Sequence, residues 1–275
     1  MDDYVKQIIK TICHPARIIN LLDDSRREAF ILARRRATTT RLIESHGIDF
    51  LDFGCKDGRS LNFGKKVFGG KCGLGIDIKP EQVEKARAAG HLAVTRDASS
   101  FEVPANCVRF VTMLHFLEHL PSYDLAEKCI ATSLRAAREF VYIRHPWFDS
   151  DAELLRMGYK LYWSDWTIHP LHFNSLDFIK AILRLGVEDR WCLMGHRPIE
   201  STQDRALAPL SRRCDRALVE ESEASTRPKL SFKQPVFHDI ACLVQTGSND
   251  SFEWARSRIA DHVTFIEGRG PRINL

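Results

Sequence analysis

Short apolar runs alternate along the chain with segments in which apolar residues recur every three or four positions. From residue 48 onward, the runs IDFLDF, CGLGIDI, HLAVTRD, VRFVTML and EFVYIRHP predict β-strands. The segments between them have helical spacing, as in PEQVEKARAAG, where Pro80 suits a first turn and Gly90 a C-terminal cap. This alternation predicts an α/β fold with a doubly wound, mainly parallel sheet of seven strands and helices on both faces.

Both ends of the chain depart from the alternation. Residues 1–45 have helical spacing, with a break or a new cap expected at the three threonines 38–40. We interpret residues 1–45 as an N-terminal helical cap and residues 46–275 as one α/β domain. Residues 196–235 are polar and rich in arginine and predict an insertion, and the later segment SFEWARSRIADHVTF is predicted to be helical.

Composition and targeting signals indicate the compartment. The chain has 275 residues, 44% of them hydrophobic, and no stretch approaches the roughly 20 apolar residues of a membrane span. The N-terminus begins with acidic residues and has no apolar signal-peptide core. The eight cysteines are scattered without C-x-x-C spacing, which argues against a cysteine zinc site and for a reducing compartment. We therefore expect a cytoplasmic protein without a membrane partner.

The distribution of charge argues against a nucleic-acid partner. The net charge is only +4, whereas binding to nucleic acid needs basic residues concentrated on one face. The densest basic group, residues 34–36, lies close to Asp24 and Glu28. A solvated helix face is the better interpretation of this group.

Candidate binding residues follow successive predicted strands, where parallel α/β sheets bind their ligands. The loop in LDFGCKDGRSL follows the first strand, and its glycines permit a positive φ and a close approach of a ligand. Asp77 ends the second strand, where a carboxylate suits two ribose hydroxyls, and Asp97 ends the third. The segment MLHFLEHLP ends the fourth. Each feature alone is weak evidence, but their order and spacing together are specific.

In this order the segments resemble the class I S-adenosylmethionine-dependent methyltransferases. FLDFGCKDGRSL resembles the first motif of that family, GLGIDI the second, and RDASSFEVPANCVRFVTMLHFLEHLP the stretch through the fourth strand. HPLHFNSLDFIKAILRLG resembles a later segment, so the resemblance covers about residues 45–195 together with FHDIACLVQ. It implies a Rossmann-like methyltransferase with S-adenosyl-L-methionine as its cofactor.

The resemblance also implies the cofactor contacts. Ordered from the methionine part through ribose and adenine to the wall near the sulfonium, they are Asp52, Gly54, Gly58, Asp77, Ile78, Asp97, Ala98, Leu114 and His115. The sequence departs from the family at Lys56, where a glycine is usual. We expect the Lys56 side chain to point to solvent, and the alternative is a weakened or lost cofactor site.

Catalytic residues are harder to identify, because methyl transfer from a sulfonium requires alignment and sometimes proton removal, but no protein nucleophile or metal. Histidine is suited to accept a proton near neutral pH. His145, after the fifth predicted strand, is the first candidate for a base or a substrate contact, and His115 is the second. A structural histidine is the alternative for each. His169 and His172 are three positions apart, but we expect no metal site.

The acceptor is the least constrained part of the prediction. The segment GYKLYWSDWTIHPLHF has aromatic side chains that suit a sugar or an aromatic acceptor, although they suit a small satellite core equally well. The leading hypothesis is methyl transfer to an oxygen or nitrogen atom of a small molecule or sugar. The alternatives are a non-catalytic methyltransferase-like scaffold and a nucleic-acid methyltransferase, for which the chain lacks an NPPY-like motif.

Overall fold

The computed structural model describes residues 24–213, 218–269 and 272–274. Most of the predicted N-terminal cap, together with Cys13 and Cys214, lies outside these residues. The described helices are α1 Asp24–His46, α2 Arg59–Phe68, α3 Pro80–Ala88, α4 Tyr123–Ala136, α5 Asp151–Arg156, α6 Ser175–Arg184, α7 Glu221–Ser225 and α8 Asn249–Ser257. The strands are β1 Phe50–Phe53, β2 Gly73–Asp77, β3 Leu92–Thr95, β4 Val108–Leu114, β5 Ala137–Pro146, β6 Tyr159–Leu161, β7 Arg190–Pro198, β8 Leu207–Pro209, β9 Phe237–Gln245, β10 His262–Arg269 and β11 Arg272–Asn274.

One large sheet organises the described part of the chain. Its nine strands follow the order β11-β10-β7-β9-β5-β4-β1-β2-β3. Strands β3, β2, β1, β4 and β5 are mutually parallel, and β9 runs antiparallel between β5 and β7. The predicted α/β fold and mainly parallel sheet are confirmed. The predicted number of seven strands is wrong, because β10 and β11 extend the edge of the sheet beyond β7.

Strand β10 lies in the segment that was predicted to be helical. Helix α8 ends at Ser257, and β10 pairs antiparallel with β7 from His262 onward. Val263, Thr264 and Ile266 are β-branched, which favours extended backbone. Pairing with an exposed sheet edge therefore outweighs the helical spacing of the preceding apolar residues, and the helix prediction is wrong after Ser257.

Helices cover both faces of the sheet, as predicted, because successive residues of a strand point to opposite sides. Leu51 and Phe53 share one core with residues of α1, α4 and α6, whereas Phe50 shares the other with α2, α3 and α8. On that second face Phe50, Phe110 and Phe140 stack across three strands with ring centroids 4.9 and 5.1 Å apart. Each buried ring contributes roughly 1.5–3 kcal/mol to stability.

Helix α1 is continuous through the three threonines, where a break or a new cap was expected. The hydroxyls of Thr38, Thr39 and Thr40 donate to carbonyls four residues earlier, at 2.9–3.1 Å. These bonds satisfy the hydroxyls without interrupting the helix. Ile43 is buried near the end of α1 and joins the main core. No helix in the described residues, α1 included, is long and apolar enough to cross a membrane.

The described part of the predicted insertion, residues 196–213 and 218–235, contains secondary structure of its own. Its strand β8 pairs antiparallel with β6 in a separate two-stranded sheet, and Val219 and Ala224 are buried beside β8. The Arg227 guanidinium donates to the Leu207 carbonyl at 2.6 Å. The first residues of the predicted insertion still belong to β7, so the change in composition occurs inside a strand.

Candidate functional site

Two neighbouring cavities lie at the carboxyl ends of the parallel strands. The first, which we call the Asp77 cavity, has a volume of about 520 Å³ and lies beyond β1, β2 and β3. The second, the Arg144 cavity, has a volume of about 380 Å³ and lies beyond β5, β7 and the start of β9. Both volumes fall within the range of about 300–1,000 Å³ that is usual for small-molecule sites. Residues that line both cavities are Lys56, His115, His119 and Ile168.

Most residues that the resemblance implied as cofactor contacts meet at the Asp77 cavity. Those that line it are Gly54, Asp77, Ile78, Asp97, Ala98 and His115. Asp52, Gly58 and Leu114 do not line it. Lining residues that the sequence did not single out are Lys79, Gln82, Arg96, Phe116, Leu120, Thr167 and Pro170. Two of these, Phe116 and Leu120, lie inside the quoted segment MLHFLEHLP, so their position in the motif was the available signal.

Gly54 allows the loop after β1 to pass close to the loop after β4. Its φ is +74°, and a Cβ atom placed there would lie 2.5 Å from Cδ2 of Phe116. The Gly54 amide donates to the Ile76 carbonyl at 2.8 Å, which holds the loop against β2. Both the backbone angle and the close contact therefore require glycine at this position.

Asp77 holds the loop and faces the Asp77 cavity. Its Oδ2 accepts a hydrogen bond from the Lys56 amide at 2.9 Å, and its Oδ1 accepts one from the Lys79 amide at 2.9 Å. A carboxylate oxygen can accept two hydrogen bonds, so each oxygen keeps a further acceptor position. The next residue, Ile78, is 64% exposed and lines the same cavity. The pair offers a carboxylate for hydroxyl groups beside an apolar surface for a flat ring.

Lys56 does not simply extend into solvent as expected. Its side chain is exposed, but it lines both cavities, and its Nζ lies 3.5 Å from Nε2 of His119. Its φ is +46°, the left-handed region in which glycine is the usual residue. The lysine therefore occupies a backbone conformation that glycine usually adopts, and it adds an ammonium group at the boundary between the cavities.

Asp52 lies beneath the loop. It is fully buried, and it accepts hydrogen bonds from the Ser60 hydroxyl and, at 2.6 Å, from the Thr112 hydroxyl. Burial raises the pKa of Asp52 to about 7, although the two hydroxyls act in the opposite direction. Asp52 therefore joins β1 to β4 and to the start of α2.

A buried carboxylate connects the two candidate histidines. Glu118, in the turn after β4, is 1% exposed; its Oε1 lies 3.5 Å from Nδ1 of His115 and its Oε2 lies 3.3 Å from Nδ1 of His145. Burial alone would raise the pKa of Glu118, but the bonds and charges of the two histidines hold that pKa well below its usual value. Glu118 is therefore ionised and lies between the two imidazole rings, with its Oε2 and Nδ1 of His145 buried outside hydrogen-bond geometry.

The two candidate histidines occupy different environments. His145 is fully buried, lines neither cavity, and its Nε2 accepts a hydrogen bond from the Phe173 amide at 3.2 Å. His115 lines both cavities, and its Nε2 lies 3.5 Å from Oδ1 of Asp239. Only His115, of these two, is placed to touch a molecule in either cavity.

The walls of the Arg144 cavity come from parts of the chain that are distant in sequence. Tyr162, Trp163 and Trp166, from the predicted aromatic segment, form one side. Sequence reasoning missed the other side, which consists of Arg144, Pro146, His196, Arg197, His238 and Asp239. His196 and Arg197 lie outside every segment that resembles the family, and the other four lie in quoted strands where no pattern marked them as site residues.

Glu118, His119 and His169 bring potential metal-ligand atoms within 4.8 Å of one another. Burial lowers the pKa of His169 to about 4, so its ring is neutral at pH 7. The Nδ1 of His119 lies 2.8 Å from the Ile168 carbonyl, which directs Nε2 toward the Lys56 ammonium. A cation already lies beside this group, which disfavours a metal ion there.

The chain is similar to known methyltransferases in sequence and in fold. A family described as a methyltransferase domain matches residues 24–185. A SAM-dependent methyltransferase from Archaeoglobus fulgidus has 19% identity and a TM-score of 0.50, with 89% of this chain and 100% of that chain covered.

Two further methyltransferase structures have lower TM-scores. A SAM-dependent methyltransferase from Methanosarcina mazei has 17% identity and a TM-score of 0.45, covering 73% and 92% of the two chains. Magnesium protoporphyrin IX methyltransferase from Synechocystis, with bound SAH, has 15% identity and a TM-score of 0.42, covering 90% and 100%. No curated protein matches the chain significantly.

Proposed function

Because the chain belongs to the methyltransferase domain family and carries the motifs of the class I S-adenosylmethionine-dependent enzymes, we propose that it methylates an oxygen or nitrogen atom of a small molecule or sugar. The pair of cavities that meet at His115 carries this proposal. The Asp77 cavity holds the cofactor, the Arg144 cavity holds the acceptor, and the methyl group passes between them.

The residues of the Asp77 cavity fit S-adenosyl-L-methionine. We assign the ribose hydroxyls to Asp77, because its oxygens keep acceptor positions, and one face of the adenine to the exposed Ile78. Asp97 and Ala98 lie along the remaining adenine edge, and Gly54 lies at the methionine end. When bound, the cofactor supplies a methyl group that is activated by the sulfonium charge.

We assign His115 as the group that accepts the proton of the acceptor. Its ring lies between Glu118 and Asp239, each 3.5 Å from one ring nitrogen. Burial raises the pKa of Asp239, but the His196 hydrogen bond and neighbouring positive charges lower it below its usual value, so Asp239 is ionised. The two carboxylates flank the His115 ring, and His115 is the histidine of the two candidates that can reach a molecule in either cavity.

His145 is a positioning residue in this proposal. It contacts Glu118 from the buried side and the Phe173 amide on its other nitrogen, so it fixes the carboxylate that orients His115. His145, the first candidate from the sequence, therefore does not touch the acceptor in this proposal. It acts indirectly, through Glu118.

The size and lining of the Arg144 cavity favour a small acceptor. Its volume of about 380 Å³ suits a monosaccharide-sized or aromatic molecule, and its aromatic side matches such ligands. A nucleic-acid acceptor would need a basic surface around the opening, which the net charge of +4 does not favour. A non-catalytic scaffold does not explain why His115 lies between the carboxylates of Glu118 and Asp239.

Two measurements test this function. Calorimetric titration with S-adenosylhomocysteine should show binding to the wild type and a loss of at least about 30-fold in affinity for Asp77→Ala. Asp57→Ala is the matched control, because Asp57 lies in the same loop but lines neither cavity. A panel of sugars, aromatic alcohols, amines and transfer RNA, incubated with methyl-labelled cofactor, then identifies the acceptor class. Absence of cofactor binding, or transfer to RNA alone, would refute the proposal.

A further inference from the structure

Three cationic side chains line the Arg144 cavity without acidic partners. These are Lys56, Arg144 and Arg197, and none of them forms an ion pair with a carboxylate in the part of the chain that the structure describes. The two acidic residues of the same cavity, Glu118 and Asp239, have oxygens 2.9–3.5 Å from histidine ring nitrogens. Arg144 lies near enough to Asp239 to help lower the pKa of that carboxyl, but none of the three cationic groups has a direct ion pair in the described part of the chain.

The Arg144 guanidinium is held in one position and has a free hydrogen-bond donor. Its guanidinium lies over the ring of Phe63, with Cζ 5.2 Å from the ring centroid, so its planar group is held in place. Its Nε atom is buried and has no hydrogen-bond partner. A buried donor without a partner is destabilising, and such groups in folded proteins often mark the position of a ligand.

Backbone strain is concentrated around the same cavity. In the described residues, the non-glycine positions with positive φ are Lys56 at +46°, Asn106 at +52°, His115 at +50° and Arg197 at +54°. All of them except Asn106 line the Arg144 cavity. Such backbone conformations are unfavourable for residues with a Cβ atom, and strain of this kind clusters at binding sites because the surrounding structure holds side chains in required positions.

We infer that the acceptor carries an oxyanion, a phosphate or a carboxylate, that binds to Arg144 and Arg197. This inference rests on the proposed function, since it assigns the substrate class of the same cavity. The planar guanidinium offers paired donors that match the oxygens of a phosphate or carboxylate. Lys56 lies at the boundary with the Asp77 cavity and adds a positive charge on the side where the methyl group arrives.

The charge of the cofactor supports the same conclusion. When bound, the cofactor would bring a sulfonium and an ammonium group against a single methionine carboxylate, so its net positive charge would add to that of the cationic side chains in this partly enclosed space. An anionic acceptor neutralises part of this charge and is attracted into the cavity from solution. Its anionic group, bound to the arginines, leaves the opposite end of the molecule to face His115 and the aromatic side chains.

Calorimetric titration with two probes, inorganic phosphate and citrate, tests the inference on the full chain saturated with S-adenosylhomocysteine. We expect at least one probe to bind, with an affinity that falls as salt concentration rises. Arg144→Gln and Arg197→Gln should each weaken that binding at least about tenfold, and Arg144→Lys should restore part of it. Arg138→Gln is the matched control, because Arg138 is exposed and lines neither cavity. Binding of phosphate alone or of citrate alone identifies the oxyanion.

Three results would overturn the inference. They are no binding of either probe to a wild type that binds S-adenosylhomocysteine, equal binding by Arg144→Gln, or a loss of cofactor affinity in Arg144→Gln that assigns this arginine to the cofactor. A wild type that fails to bind S-adenosylhomocysteine refutes the proposed function itself. Thermal unfolding of each variant separates loss of the site from loss of the fold.

Discussion

The ammonium nitrogen of Lys56 lies 3.5 Å from Nε2 of His119, and this contact joins the loop after β1 to the turn after β4. The two residues meet where the Asp77 and Arg144 cavities adjoin. A family glycine at position 56 would leave this boundary without a side chain. The lysine therefore adds a cationic side chain to the boundary between the two cavities.

Lys56→Gly should preserve cofactor binding. Glycine removes the strain of a positive φ at this position but increases the conformational entropy of the unfolded chain. Because these effects oppose each other, the free energy of unfolding should change by less than about 1 kcal/mol. Affinity for S-adenosylhomocysteine, measured by calorimetry, should stay within about threefold of the wild type. Lys79→Met, at a lysine that lines only the Asp77 cavity, is the control for a general loss of charge. An increase of more than about tenfold in affinity would mean that Lys56 obstructs the cofactor.

Gly54→Ala should destabilise the protein more than Gly90→Ala. Both glycines have positive φ, at +74° and +81°, but an added Cβ meets Phe116 only at Gly54 and has open space at Gly90. The shared backbone cost is about 1–2 kcal/mol, and overpacking adds about 1–3 kcal/mol at Gly54. Urea unfolding measures the difference, and Phe116→Leu should recover part of it. Equal destabilisation of the two variants would show that the loop after β4 moves aside freely.

Asp52 should make the protein less stable as pH rises. Burial raises its folded-state pKa to about 7, whereas the unfolded value is about 3.9, so the native state retains a proton that the unfolded state releases. Stability is lost between about pH 4 and pH 7, by roughly 4 kcal/mol in total. Asp52→Asn cannot titrate, so urea unfolding from pH 4.5 to 8 should show a flatter profile for this variant. Parallel profiles would contradict the buried, protonated state of Asp52.

His115→Gln and His145→Gln should fail in different ways. Loss of the proton acceptor should lower kcat by about 10²–10⁴-fold in His115→Gln while cofactor affinity and thermal stability stay near those of the wild type. His145→Gln should instead lower the unfolding temperature, because Glu118 loses a buried partner. His46→Gln, at an exposed position of α1, is the control. The assay uses the acceptor found with labelled cofactor, and a His115→Gln enzyme with more than half of the wild-type rate would exclude this role.

The sequence predicted the part of the site that depends on short chain segments. Gly54, Asp77 and Ile78 lie at strand ends, where local patterns specify both the backbone and the side chain, and the structure brings them to one cavity. Asp52 belongs to the same motif, but alternation along β1 turns its side chain away from the cavity. The first motif therefore predicted the position of the loop after β1 correctly, but it did not predict which way each side chain of the motif points.

Long-range contacts explain what the sequence did not predict. Arg144 and Arg197 meet at one cavity only because β9 lies between β5 and β7, and no local pattern encodes that strand order. The same limit applies to His145, whose burial depends on packing against Phe173 and Phe178 from a distant segment. Strand β10 was not predicted, because its apolar spacing suits a helix. Its extended conformation depends on pairing with β7.

The two cavities differ in their relation to the segment shared with the family. All residues that line the Asp77 cavity lie between 54 and 170, inside the matched residues 24–185, whereas His196, Arg197, His238 and Asp239 of the Arg144 cavity lie outside it. With the proposed roles of the cavities, we expect substitutions in β7 and the start of β9 to alter which molecule is methylated while methyl-donor binding persists. This division makes the segment from residue 196 to 239 the natural unit to exchange when grafting a new acceptor preference onto the same enzyme.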